Sequence, residues 1–177
     1  ARDCLRAELA SREGRLKGEF SRCSSETDVL LSAMRLRHEL EVALDAAFLE
    51  LGEKVAARTL PTNCAAVLRA STAQGTYAIC LWAGDARAYL LDRLAQLTRD
   101  DNATGADALD DLRGAAPAAQ TARLGLDVTC GGGIRLGLNV VDVCGPARLF
   151  TCSDGVYAPY RSPMHFELML WRWLGLE

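Results

Sequence analysis

The chain has 177 residues, half of them apolar and 24 % charged, with a net charge of −3. That length fits one domain and is enough to bury a core. The acidic balance disfavours a broad basic surface for nucleic acid, though not a local patch, and aromatic residues at 6 % leave little for base stacking. No apolar run approaches the roughly 18 residues needed to span a bilayer. Ala1-Arg2-Asp3-Cys4 does not open a signal peptide, because no charged-then-apolar segment follows it. The chain lacks an initiator Met and reads as a piece of a longer protein. A cytoplasmic protein is expected, with neither nucleic acid nor membrane as a partner.

Residues 4–20 read as a helix of mixed charge. Ser25 is placed to cap the next one, with Asp28 in its first turn where the helix dipole favours an acid. Leu36, Leu40, Ala43, Leu44, Ala47, Phe48, Leu51 and Val55 then recur at helical spacing on one face. His38 belongs to the surface of that helix. Thr59-Leu60-Pro61-Thr62-Asn63 is predicted to end it. Cys64–Ala70 and Thr76–Ala83 read as antiparallel strands about a Ser71–Gly75 turn. The second of these is apolar on both alternating faces and is predicted to be covered on both sides. Arg87–Leu91 resumes as a strand after Gly84-Asp85. Residues 98–111 are acidic, and 112–135 are rich in Ala and Gly; together they read as a flap. Val140–Val143 and Arg148–Cys152 are two further strands, and His165–Leu174 is an apolar helix bearing Trp171 and Trp173, one of them expected to be exposed. Helices, then strands, then a helix predict an α+β fold with a mainly antiparallel sheet. The reading is one domain over 1–177: helical over 1–58, sheet with flap over 63–155, and helical again over 163–175.

The seven cysteines (Cys4, Cys23, Cys64, Cys80, Cys130, Cys144 and Cys152) are odd in number, and no pair has Cys-x-x-Cys spacing. Only His38 and His165 could join them at a zinc ion, so they read as small buried hydrophobes in a reducing compartment.

Two motifs could carry chemistry. In Gly84-Asp85-Ala86-Arg87-Ala88-Tyr89-Leu90 and in Leu149-Phe150-Thr151-Cys152-Ser153-Asp154-Gly155-Val156, an apolar strand adjoins an Asp next to a Gly. A strand end holds a carboxylate rigidly, and oxygen donors of this kind suit Mg²⁺ or Mn²⁺. Taken in order, the segments resemble the metal-dependent protein phosphatases of type 2C. The resemblance starts at Leu44-Asp45-Ala46-Ala47-Phe48 and continues through Asn63-Cys64-Ala65-Ala66-Val67-Leu68. It is closest at Trp82–Leu91, against a family pattern Gly-Asp-Ser-Arg-x-Tyr. Leu97-Thr98-Arg99-Asp100-Asp101 is similar to the family's Leu-Thr-x-Asp-His, and Leu149–Gly155 to its strand followed by Ser-Asp-Gly.

The resemblance implies an antiparallel β-sandwich flanked by helices, here incomplete at both ends, with a two-metal cluster at one end. It implies hydrolysis of phosphoserine or phosphothreonine in a phosphoprotein substrate by a metal-activated water. Asp154 matches a ligand of that Mn²⁺ or Mg²⁺ cluster, and Asp85 a ligand of a further, weaker metal site. Gly84, Arg87, Ser153 and Gly155 match scaffold positions of the two motifs. The chain departs from the family where it lacks the Asp-Gly-x-Gly-Gly motif with its bridging carboxylate, the early phosphate-gripping Arg, and the Asp-Asn motif after Asp154. Ala86 stands for the usual Ser, and Asp101 for the usual His. One carboxylate does not hold two divalent ions, so a second expectation is a catalytically incomplete member that acts as a binding or regulatory module for a protein partner.

A third expectation is a calcium loop. Asp100, Asn102, Thr104, Gly105 and Asp111 fall at positions 1, 3, 5, 6 and 12 of an EF-hand-like spacing, although Asp111 is shorter than the usual Glu. Gly131-Gly132-Gly133 reads as a turn, Cys152 as a core thiol, and His165 as a structural or surface residue.

Overall fold

The computed structural model describes residues 2–55, 59–99, 124–127, 134–143, 145 and 147–175. Helix α1 (Arg2–Ser21) and helix α2 (Glu26–Val55) form an antiparallel pair. The turn between them is fixed by Asp28, whose carboxylate accepts from the Ser24 amide at 3.1 Å and the Ser24 hydroxyl at 3.0 Å. Ser25 Oγ accepts in return from the Asp28 amide at 3.1 Å. Arg15 on α1 pairs with Glu39 on α2, an exposed contact of small energetic value.

Among the described residues eight strands follow: β1 (Thr59–Thr62), β2 (Cys64–Ser71), β3 (Thr76–Ala83), β4 (Arg87–Leu90), β5 (Ala95–Gln96), β6 (Leu124–Asp127), β7 (Gly137–Asp142) and β8 (Leu149–Cys152). A one-turn helix α3 (Asp154–Tyr157) and helix α4 (Pro163–Trp173) complete the described chain. All pairings are antiparallel, in sheets ordered β1-β6, β2-β3-β7 and β5-β4-β8. The fold is therefore α+β.

The period of two along β3 and β4 explains how the layers stack. Tyr77, Ile79, Leu81 and Ala83 face α1 and α2, packing with Leu16, Phe20, Val29, Leu36, Leu40 and Leu44. Cys80 and Trp82 point the other way and meet Ala88 and Leu90 of β4 together with Leu97. Tyr89 and Leu91 turn to the far face of the second sheet, against Phe166 and Leu170 of α4. Helices, sheet, sheet and helix thus form successive layers. The predicted double covering of Thr76–Ala83 holds, since Tyr77 through Ala83 are all buried. Each such aliphatic or aromatic side chain adds roughly 1.5–3 kcal/mol on burial. Asn139 ties the two sheets together by donating to the Leu97 carbonyl at 3.0 Å.

The structure differs from the expectation at three places. Thr59–Thr62, predicted to end the long helix, is strand β1. Its partner β6 falls inside the segment predicted as a flap, with Thr59 opposite Asp127. Tertiary pairing decides both, and neither stretch has a two-residue alternation strong enough to announce it. The third place is the C-terminal helix, where both Trp171 and Trp173 are exposed.

Cys23 and Cys80 are buried, Cys64 and Cys152 are half-buried, and none of the four is in a disulfide. The side chains of Cys4, Cys130 and Cys144 lie outside the described residues. Burial pushes the Cys80 thiol up to about 12 and the Tyr89 phenol up to about 12. The unfolded chain releases these protons at lower pH, from roughly pH 9 upward for the thiol. The folded state then holds more protons than the unfolded one, so stability falls as pH rises through that window. The expected result is a melting temperature that declines above about pH 9, less steeply in Cys80→Ala than in the parent protein. Equal slopes for the two proteins would refute the assignment.

Candidate functional site

The two motifs meet at one end of the stacked sheets, and strand register puts them there. Arg87 on β4 lies opposite Cys152 on β8. Asp85 precedes Arg87 by two residues, and Asp154 follows Cys152 by two. In an antiparallel pair both carboxylates therefore emerge at the same end. Cys64 pairs with Ala83, which brings Asn63 to that end too. Trp82 pairs with Gly137, which brings the entry to β7 there as well.

The crossing from β3 to β4 takes only Gly84, Asp85 and Ala86. Gly84 has φ +79°, a left-handed conformation that a side chain would strain. The Asp85 that follows is half-buried, and its carboxylate accepts from Asn63 Nδ2 at 2.7 Å. Its main-chain carbonyl accepts from the Tyr157 hydroxyl at 2.5 Å. The guanidinium of Arg87 lies 3.8 Å from the centroid of the Tyr157 ring, a cation–π contact with a buried cation. Arg87 also draws down the Tyr89 phenol and the Glu167 carboxyl, although burial outweighs it at both and leaves both raised. Arg87 thus sits among β4, α3 and α4 as a brace.

Asp154 opens α3, where a negative charge suits the helix dipole. It is exposed, and its Oδ1 accepts from the Gly155 amide at 2.9 Å. Ser153 is the extended residue before the helix, and its side chain makes no capping hydrogen bond. The register gathers Gly84, Asp85, Arg87, Ser153, Asp154 and Gly155 at one rim. The two carboxylates nonetheless differ there: Asp85 is turned onto Asn63, and Asp154 is open.

Sequence reasoning missed Asn63 and Tyr157. The position of Asn63, directly before a strand whose partner ends next to Gly84-Asp85, was a usable signal. Tyr157 gave none, because α3 was not foreseen. The Leu97-Thr98 part of the third motif closes the second sheet: Leu97 N donates to the Ala88 carbonyl at 2.7 Å, and Thr98 Oγ1 accepts from the Ala88 amide at 3.2 Å. Asp45, inside the first matched segment, accepts from the Ile134 amide at 2.6 Å. Glu41, one turn earlier and buried, accepts from the Leu136 amide at 2.9 Å. These α2 carboxylates anchor the backbone just ahead of β7.

A two-ion cluster needs more donors than this rim offers. Among the described residues, no three His, Cys, Asp or Glu side chains come together as a cation site requires. The residues in place, the exposed Asp154 carboxylate and the half-buried Asp85 carboxylate that holds Asn63, do not fit such a cluster by themselves. The calcium-loop residues Asp100–Asp111 and Gly131–Gly133 lie outside the described residues. His38 and His165 are exposed, the latter edge-on to Tyr160 at 5.5 Å. Cys152 packs in the Tyr89–Phe166 cluster as a core thiol. Among the described residues, no helix is long and apolar enough to cross a membrane. No protein-family model and no curated protein matches the chain.

Proposed function

We propose that this chain is a phosphatase-like domain of the type 2C class. Its chemistry would be metal-assisted hydrolysis of phosphoserine or phosphothreonine in a protein substrate. Asp154 and Asp85 are its contributions to a Mn²⁺- or Mg²⁺-binding rim. The observation that carries the reading is the β4–β8 register, which delivers the Asp of Gly84–Arg87 and the Asp of Ser153–Gly155 to one end of two stacked antiparallel sheets. The layering of helices outside two sheets supports the same reading.

A second reading, a non-catalytic binding or regulatory module, is favoured by one observation: the Asp85 carboxylate already holds the Asn63 amide. The deciding experiment is hydrolysis of a phosphothreonine peptide with Mn²⁺. The expected result is turnover abolished by EDTA and by Asp154→Asn, with unchanged melting of the variant. No turnover from folded protein, together with no Mn²⁺-induced rise in melting temperature, would overturn the catalytic reading and leave the module.

A further inference from the structure

Strand β2 is the outermost strand of its sheet and is regular over all eight residues. Among the described residues its only hydrogen-bonding neighbour is β3. The Thr72 amide donates to the Gly75 carbonyl at 2.8 Å, which sets the phase of the β2–β3 ladder. By antiparallel alternation, Ala70, Leu68, Ala66 and Cys64 direct their main-chain groups to β3, and Ala65, Val67, Arg69 and Ser71 direct theirs outward. An edge of this kind is a template for another strand. Proteins usually blunt such edges with Pro, a bulge or charged side chains; β2 has neither Pro nor bulge, and Arg69 is its one charge.

Beside this edge runs a cleft of about 600 Å³ between α1 and the second half of β2. Leu9, Leu16, Phe20, Leu68 and Ala70 line its floor. That volume is within the range, roughly 300–1,000 Å³, of pockets that enclose a few groups. Its rim carries Glu13, Lys17 and Arg69. Lys17 is neutralised by Glu13 at 2.6 Å. Arg69 is exposed and makes no ion pair among the described residues, which leaves an unmatched positive charge beside the outward main-chain groups.

We propose that the outer edge of β2, with α1 as its wall, is a docking groove for an extended peptide of a partner protein. The peptide adds as a further strand by main-chain pairing. It directs alternate apolar side chains into the α1 cleft and sets a carboxylate against Arg69. This surface is independent of the Asp85–Asp154 rim.

The test is titration of the protein with acetyl-Thr-Val-Asp-Val-Thr-Val-Thr-amide, followed by amide chemical shifts. The expected result is saturable shifts confined to β2 and α1. Binding should weaken about tenfold when alternate peptide amides are N-methylated, because pairing along the edge is then blocked. Arg69→Glu, at an exposed position, should weaken the Asp peptide and restore binding to its Lys counterpart. Three results would overturn the proposal. One is no shift from folded protein, and another is equal binding of the N-methylated peptide. The third is a concentration-dependent dimer through β2 that the peptide does not dissociate, which makes a second copy the occupant.

Discussion

Gly137→Ala is expected to destabilise the protein by about 2–3 kcal/mol, near the upper end of what overpacking costs. Gly137 opens β7 directly opposite Trp82. The indole lies across the glycine, so that a Cβ placed there would come within 2.6 Å of Trp82 Cδ2 and closer still to Cε2 and Cζ2. Trp82 is buried between the two sheets with Cys80, Ala88, Leu90 and Leu97, so its ring has no free direction in which to retreat. Either β7 lifts off β3 or the ring leaves its rotamer. The check is chemical denaturation of Gly137→Ala, Trp82→Leu and the double variant. Shrinking the indole should relieve the clash, so the two substitutions should couple by about 1 kcal/mol or more. Strict additivity would show that the indole does not lie across Gly137.

Phe166→Ala is expected to cost about 3–5 kcal/mol, as removal of a buried aromatic ring does. Phe166 is fully buried, and its ring lies 5.9 Å from Tyr89, 6.1 Å from Tyr157 and 5.2 Å from Tyr160. It fastens α4 to the outer face of the second sheet and also backs Tyr157, which in turn holds the Asp85 carbonyl. Loss of the ring should therefore lower the unfolding midpoint and flatten the near-ultraviolet dichroism of the tyrosines. Phe166→Leu, which keeps most of the volume, should retain most of the stability. A cost below about 1 kcal/mol for the alanine variant would mean that α4 contributes little to the fold.

Most of the layering was legible in the residues. The long apolar stripe from Leu36 to Phe48 is the face that packs on the first sheet, and the unbroken apolar run Tyr77–Ala83 is the strand covered from both sides. The first signal is a helical period and the second a continuous apolar run, and in both local pattern and tertiary burial agree. Strands β1 and β6 were not legible. Each is four residues, one contains Pro61 and the other Gly125, and each is a strand because the other is there. At the rim, the motifs pointed to Asp85 and Asp154, and register accounts for their lying at one end of the strand pair. Asn63 and Tyr157 were not visible as partners, since both act through hydrogen bonds to residues distant in sequence.

The order of the strands also governs how the chain can acquire its structure during synthesis. Among the described residues only the β2–β3 and β4–β5 hairpins close locally; Ile79 must wait for Val140, and Tyr89 for Phe150. Closing such long loops costs entropy before any contact is gained, which slows folding of topologies dominated by distant pairings. As the chain emerges from the ribosome, β3 and β4 therefore spend time with apolar edges open. They become enclosed only when β7 and β8 have left the exit tunnel. Until then the nascent protein depends on the helix pair to shield one face, and the other is an opportunity for chaperone binding or for misassembly.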